Sequence, residues 1–291
     1  MTFRPGPERA RLSAVFAVLC GVVLAIAHPS LVAAQAAPYR ILVTNDDGIH
    51  AAGIAALARE LSRVGEVLVV APAENQSGSS MASQLGAMLL VEQVTKDGEL
   101  FGYAVGGRPA DAVRFGLTAL AGEDGIDLVV SGINYGSNVG DIAHLSGTVG
   151  AAMMGLYLGV PAVAVSLEHT VTDYEFAARY TASFVSELKR RGVPSGVVLS
   201  INIPAGSAEE INGVVVAPMG GKWIGVSGFE RAEAEGERAG YMPIIHRSYK
   251  FEPGSDSAAY HRFMITITPL KFDWTDYEVI GDLKEWNLTV R

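Results

Sequence analysis

In "ILVTNDDGIH", residues 41–50, four apolar or β-branched residues run into Asn45 and then into two adjacent carboxylates, Asp46 and Asp47. A strand that ends this way brings like charges together. One reading is a surface turn, because Asn, Asp and Gly are common turn formers. The other is a cation site, in which a metal relieves the repulsion and the carboxylates serve as hard oxygen ligands.

Two later stretches hold groups that could join them. "AENQSGSS", residues 73–80, is rich in hydroxyls and glycine, and "INYGSNVGDIAHLSGT", residues 133–148, carries Asn134, Asn138, Ser146, Gly147 and Thr148. Carboxylates, amides and hydroxyls are abundant in these stretches, while thiols are absent and His144 stands alone. Oxygen-only donors favour Mg²⁺, Mn²⁺ or Ca²⁺ over zinc or copper. Ser146 or Thr148 can cap the apolar helix expected to follow, and the free N–H groups of that cap attract an anion. A divalent cation beside a helix N-terminus suits a phosphoryl group, whose charge spreads over several oxygens. There is no G-x-S-x-G elbow, no G-x-x-x-x-G-K-[ST] loop and no G-x-G-x-x-G after the first strand. These absences speak against a serine hydrolase, a P-loop nucleotide hydrolase and a dinucleotide enzyme.

The elements that must carry these stretches alternate along the chain. "YRILVT", "EVLVVAP", "DLVVSG", "PAVAVS" and "GVVLSINIP" read as strands, several with the continuous apolar run of parallel strands covered on both faces. "AAGIAALARELSRVG", "RPADAVRFGLTAL", "GTVGAAMMGLYLG" and "DYEFAARYTASFVSELKRRG" read as the helices between them, and "MLLVEQV" and "ELFGYAV" as two further strands. This alternation predicts an α/β fold with a doubly wound, mostly parallel sheet. In such sheets ligands bind beyond the carboxyl ends of the strands, where all three polar stretches fall. After residue 212 the rhythm changes. "VVVAP" and "MITITPL" look like strands, the charged "GFERAEAEGERAGYMP" lies between them, and a short helix is expected near "DLKEW". Residues 37–212 therefore read as the catalytic core and residues 213–291 as a C-terminal extension of hairpins and loops.

Residues 1–36 read as a signal peptide: Arg4, Arg9 and Arg11, an uncharged run from Leu12 to Ala27, then the small-residue pattern Ala34-Gln35-Ala36. The run is shorter than the about 20 residues of a spanning helix. Cleavage after Ala36 removes the single cysteine, Cys20, and with it thiol, disulfide or Cys-zinc chemistry. Loss of three Arg and one Glu takes the formal charge from −9 to −11, which disfavours long nucleic acid as a partner. The expectation is an exported protein, periplasmic or secreted, with no membrane attachment after cleavage.

The blocks "ILVTNDDGIHAAGI", "VVAPAENQSGSS", "GRPADAVRFGL", "VSGINYGSNVGDIAHLSGTVGAAMMG" and "ITITPL" resemble, in order, those of the SurE family, the survival-protein nucleotidases. The resemblance implies a Rossmann-like core and a divalent-metal phosphatase that releases phosphate from nucleoside 5′- and 3′-monophosphates. It also implies homodimers or homotetramers built through the C-terminal extension. By motif, Asp46, Asp47, Ser77 and Asn134 would hold Mg²⁺ or Mn²⁺, with Asp46 and Asp47 catalytic. Asn45, Asn138, Ser146, Gly147 and Thr148 would face the phosphate and substrate. Ser79 and Ser80 are expected to be replaceable. Ala73 and Glu74 stand where the family usually has Asp-Arg, Arg108 where it has Thr, and Leu145 where Tyr is frequent. Alternatives are a broad acid phosphatase or exopolyphosphatase with the same site, and an exported metal- or nucleotide-binding protein without turnover.

Overall fold

Ile41 and Val43 point into one apolar core and Leu42 into another, and the same alternation recurs at Leu128, Val129 and Val130. Strands apolar on both faces need a covering layer on each side, and the chain provides two. In the computed structural model, which describes residues 37–222, 224–233, 239–248, 250–286 and 288–290, the central strands are β1 (Arg40–Thr44), β2 (Glu66–Pro72), β3 (Val91–Lys96), β4 (Glu99–Val105), β5 (Leu128–Tyr135), β6 (Ala162–Leu167) and β7 (Val197–Ile203). Helices α1 (Ala52–Leu61) and α4 (Glu175–Arg191) pack together against one face, and α2 (Pro109–Phe115) and α3 (Gly147–Tyr157) pair on the other. The signal segment expected at residues 1–36 lies outside the described residues.

Beyond residue 213 the chain adds β8 (Val214–Val216), β9 (Ile224–Ala232), β10 (Gly240–Arg247), α5 (Asp256–His261), β11 (Ile265–Lys271) and α6 (Tyr277–Glu285). The nine-stranded sheet has the order β3-β4-β2-β1-β5-β6-β7-β11-β8. Pairing is parallel from β4 through β2, β1, β5 and β6 to β7, while β3 and β11 run antiparallel to β4 and β7. The expected α/β, doubly wound, mostly parallel sheet is thus observed. Residues 213–291 play two parts: β8 and β11 lengthen the core sheet, while β9 and β10 form a separate antiparallel hairpin.

From β1 the chain goes to β2 on one side and later to β5 on the other, so the strand order reverses between β1 and β5. Ligand crevices open at such switch points. The sheet is irregular here too: pairing of β5 with β6 shifts register between Ser131 and Asn134, a bulge that re-aims the side chains after it. Gly132 makes it feasible, with φ +145° and Val165 O only 2.5 Å from where a Cβ would stand.

Candidate active site

Asn45, Asp46 and Asp47 follow β1 directly, Asn134 ends β5 beside it, and α3 begins at Gly147 on the far side of the crevice. Asp46 is buried, 2% exposed, and its Oδ1 accepts a 2.5 Å bond from the Thr148 hydroxyl. The Thr148 backbone N–H adds a second bond. Asp47 Oδ2 accepts from the Tyr135 backbone N–H at 3.1 Å. Asn134 Nδ2 donates to Gly136 O at 2.7 Å. In Asp47 and Asn134 one polar atom is fastened and one side-chain oxygen is left to coordinate or accept, while Asp46 is held more closely.

The second loop is drawn in by backbone bonds. Gln76 N–H donates to the Asp46 carbonyl at 2.7 Å, and Ser80 donates through its backbone to Leu145 O and through its hydroxyl to His144 O. Ser77 lies in this loop with its N–H held by Asn75 Oδ1, and the residue is exposed. Ser79 is the surprise. Its hydroxyl oxygen is buried without a hydrogen-bond partner. A Cβ on Gly147 would stand 2.8 Å from both this oxygen and Asp46 Oδ2. Thr44, Ser131 and Thr266 hold unpartnered buried hydroxyls as well, and what sets Ser79 apart is its place beside Asp46, where a bound ligand would satisfy it. Gly147 lets the start of α3 come this close; any side chain there would collide with Asp46.

Ser146 caps α3 as its position suggested, accepting from Val149 N–H at 3.2 Å. Two expected phosphate contacts are engaged elsewhere. The Asn45 amide closes its own turn, donating to Gly48 O and accepting from Gly48 N–H. Asn138 is buried, with its side chain on the Ser166 hydroxyl and its N–H on Asn202 Oδ1. Thr148, fully buried, holds Asp46.

Burial pushes the Asp46 carboxyl up to about 6, with Asp47 adding like-charge repulsion against the bonds from Thr148. Asp47 is also raised by burial, opposed by the bond from Tyr135. Among the described residues neither carboxylate has a Lys, Arg or His partner. Two close, poorly hydrated carboxylates without a counter-charge fit a cation, as does the unpartnered Ser79 hydroxyl. No group of three His, Cys, Asp or Glu suited to a metal occurs among the described residues, so amide and hydroxyl oxygens must complete the set.

On the Asp47 side the site is rimmed by aromatic groups. Tyr135 is 51% exposed, and its ring stands edge-on to His169, with centroids 6.4 Å apart and planes at 71°. His169 bonds to Glu168 and meets Arg247 at 2.7 Å; Glu168 also accepts from Arg247 at 3.1 Å and from the Tyr260 hydroxyl at 3.0 Å. Burial pushes Glu168 up, but His169, Tyr260 and Arg247 together hold it below the usual carboxylate range. Arg247 is the last residue of β10, so this cluster ties the hairpin to the core.

The family model described as survival protein SurE matches residues 41–224. A protein named 5′-nucleotidase SurE from Syntrophus aciditrophicus is 41% identical over 84% of this chain and 92% of its own. Its namesake from Rhodopirellula baltica is 38% identical over 86% of this chain and 99% of its own. The crystal structure of the SurE protein from Aquifex aeolicus superposes with a TM-score of 0.74 at 32% identity, covering 86% of this chain and all of that one. With matches of that extent and the same sheet beneath them, the chain belongs to the survival protein SurE family.

Proposed function

We propose that this protein is a divalent-metal-dependent phosphomonoesterase that releases phosphate from nucleoside 5′- and 3′-monophosphates. The observation that carries the reading is the pair Asp46 and Asp47, buried or partly buried and without a cationic partner among the described residues, opposite the N-terminus of α3. The relatives named 5′-nucleotidase supply the substrate class.

Asp46, Asp47, Asn134 and a hydroxyl of the second loop, Ser77 by motif, would hold Mg²⁺ or Mn²⁺. When bound, the ion supplies positive charge where phosphoryl oxygens gather negative charge. The protein's own part is placement. Thr148 fixes the Asp46 carboxylate through its hydroxyl and N–H, Tyr135 N–H fixes that of Asp47, and the positive end of the α3 dipole lies at the same spot. The Ser146 cap keeps that first turn wound.

Phosphate release from AMP and 3′-AMP, with Mg²⁺ or Mn²⁺ and again in excess chelator, tests this reading. Activity should vanish on chelation and return with metal; full activity in chelator would overturn the metal requirement. Binding of metal and AMP with no release under any condition would favour a binding protein instead.

The same reading includes assembly and location. β9 and β10 expose Val226, Phe229, Tyr241 and Ile245, which the pairing register puts on one face of the hairpin, an apolar patch of the kind that marks an interface, which supports a homodimer or homotetramer. The basic start, apolar run and Ala34-Gln35-Ala36 support export, and N-terminal sequencing of the exported protein should begin near Ala37.

A further inference from the structure

We propose that Tyr135, braced edge-on by His169, forms the platform on which the base of the nucleotide substrate stacks. This rests on the phosphomonoesterase reading and names what that site does with the rest of its substrate.

Tyr135 follows Asn134 directly, and its backbone N–H holds Asp47 Oδ2 at 3.1 Å. The ring is therefore one side-chain length from the carboxylate, much as a nucleobase is one sugar away from its phosphate. Tyr135 packs into neither core; its side chain is 51% exposed at the lip of the crevice. A scattered surface aromatic needs no explanation. This one is paired edge-on with His169, whose ring is fixed by Glu168 and Arg247. An edge-on pair covers at most one face of the tyrosine, and the other is available to a flat, apolar group. Tyr174 closes the same corner, packed against Gly53 of α1 and near both Asp47 and Tyr135.

Stacking reads the π-face that every base shares, so this platform accepts purines and pyrimidines alike. It discriminates against phosphate esters that lack a base. A competing place for the base is the apolar cavity of about 290 Å³ behind α3, lined by Met81, His144, Met153 and Trp274, which meets the site only at Ser146.

The test compares AMP with ribose 5-phosphate in Mn²⁺-supplemented protein. Tyr135→Ala keeps the backbone N–H on Asp47 and should raise KM for AMP about tenfold relative to KM for ribose 5-phosphate, changing kcat far less. Tyr135→Phe should restore the AMP value, because the stacking face remains. Equal effects on both substrates, or none on either, overturn the proposal, as does a selective rise in KM for AMP in Trp274→Ala but not Tyr135→Ala. If wild type hydrolyses neither ester, the phosphatase reading falls, and calorimetric titration with adenosine decides the platform alone. Weaker adenosine binding in Tyr135→Ala than in wild type supports it, and unchanged or undetectable binding overturns it.

Discussion

In the crevice between β1 and β5, Asp46, Asp47 and Asn134 each have one polar atom fastened by a backbone group or hydroxyl. In the β9–β10 hairpin, Val226, Phe229, Tyr241 and Ile245 lie more than half exposed, and the firm tie described is Arg247 at its end. The crevice accepts buried like charge and orphaned polar atoms to hold oxygens in fixed places. A lone two-stranded hairpin is marginal in water, and this one adds apolar surface without covering it. Under the function proposed above, one region would serve a small ligand that carries charge and the other a large partner that carries apolar surface.

The comparison breaks first at the carboxylates. Asp46→Asn or Asp47→Asn should lower kcat/KM for AMP at least about a hundredfold, since a charge vanishes while the shape stays. The circular dichroism spectrum should not change. Activity within a few fold of wild type would mean that the buried charge serves something other than catalysis.

Gly147→Ala should come next. Its Cβ would meet Asp46 and the Ser79 hydroxyl at 2.8 Å, so the start of α3 must shift. A cost of about 1–3 kcal/mol in denaturant melts is expected, with activity falling at least about tenfold. Unchanged melts and rates would show that the crevice is looser than its contacts suggest.

The serines sharpen the picture. Removing the unpartnered Ser79 hydroxyl should raise the stability of metal-free protein by about 1 kcal/mol while weakening metal or phosphate binding. Opposite signs in the two measurements mark a group kept for its ligand. Ser77→Ala should raise the metal concentration needed for half-activity and leave apo stability within about 0.5 kcal/mol.

At the hairpin anchor the lever is pH. Glu168 is held below its ordinary range, so its ionised form favours the fold. That contribution is present above the ordinary glutamate pKa and is lost as pH falls through the lowered one. Glu168→Gln should cost about 1 kcal/mol at neutral pH, and its melting curve should meet that of wild type in acid. Curves offset equally at every pH would count against the ion pair. The smallest effect on the fold should come from Ile245→Asp, within about 0.5 kcal/mol for the core but with a smaller assembly in size-exclusion chromatography.

The sheet was legible because parallel strands announce themselves: Leu128–Val130 and Ala162–Val165 are apolar on both faces, and the helices between them show helical spacing. The place of Asp46 and Asp47 at a strand end and the Ser146 cap were legible because adjacent carboxylates after an apolar run and a hydroxyl before an apolar helix each have few uses. The hydrogen-bond partners of Asn45 and Asn138 were not. An amide's partner depends on what folding brings to it, and Asn202 lies 64 residues from Asn138. Ser77, Ser79 and Ser80 have the same chemistry in one loop. Which of them turns inward follows from the backbone there, with Gly78 at φ +77° and Ser80 at +52°, and composition does not encode it. The α5 turn is six residues long, too short for periodicity to reveal.

The hydrogen bond from Thr148 to Asp46 spans 102 residues of chain. A polypeptide emerging from its ribosome or translocation pore has both carboxylates early, but β5 has yet to pair with β1 and α3 has yet to be made. Such distant parallel pairing is slow to form. Until Thr148 has emerged and docked, the growing chain has half a cradle and nothing to close it, so it passes through synthesis chemically silent. Capacity to act and the joining of β5 to β1 then arrive together, which makes the first released phosphate a timer for folding of this half of the sheet.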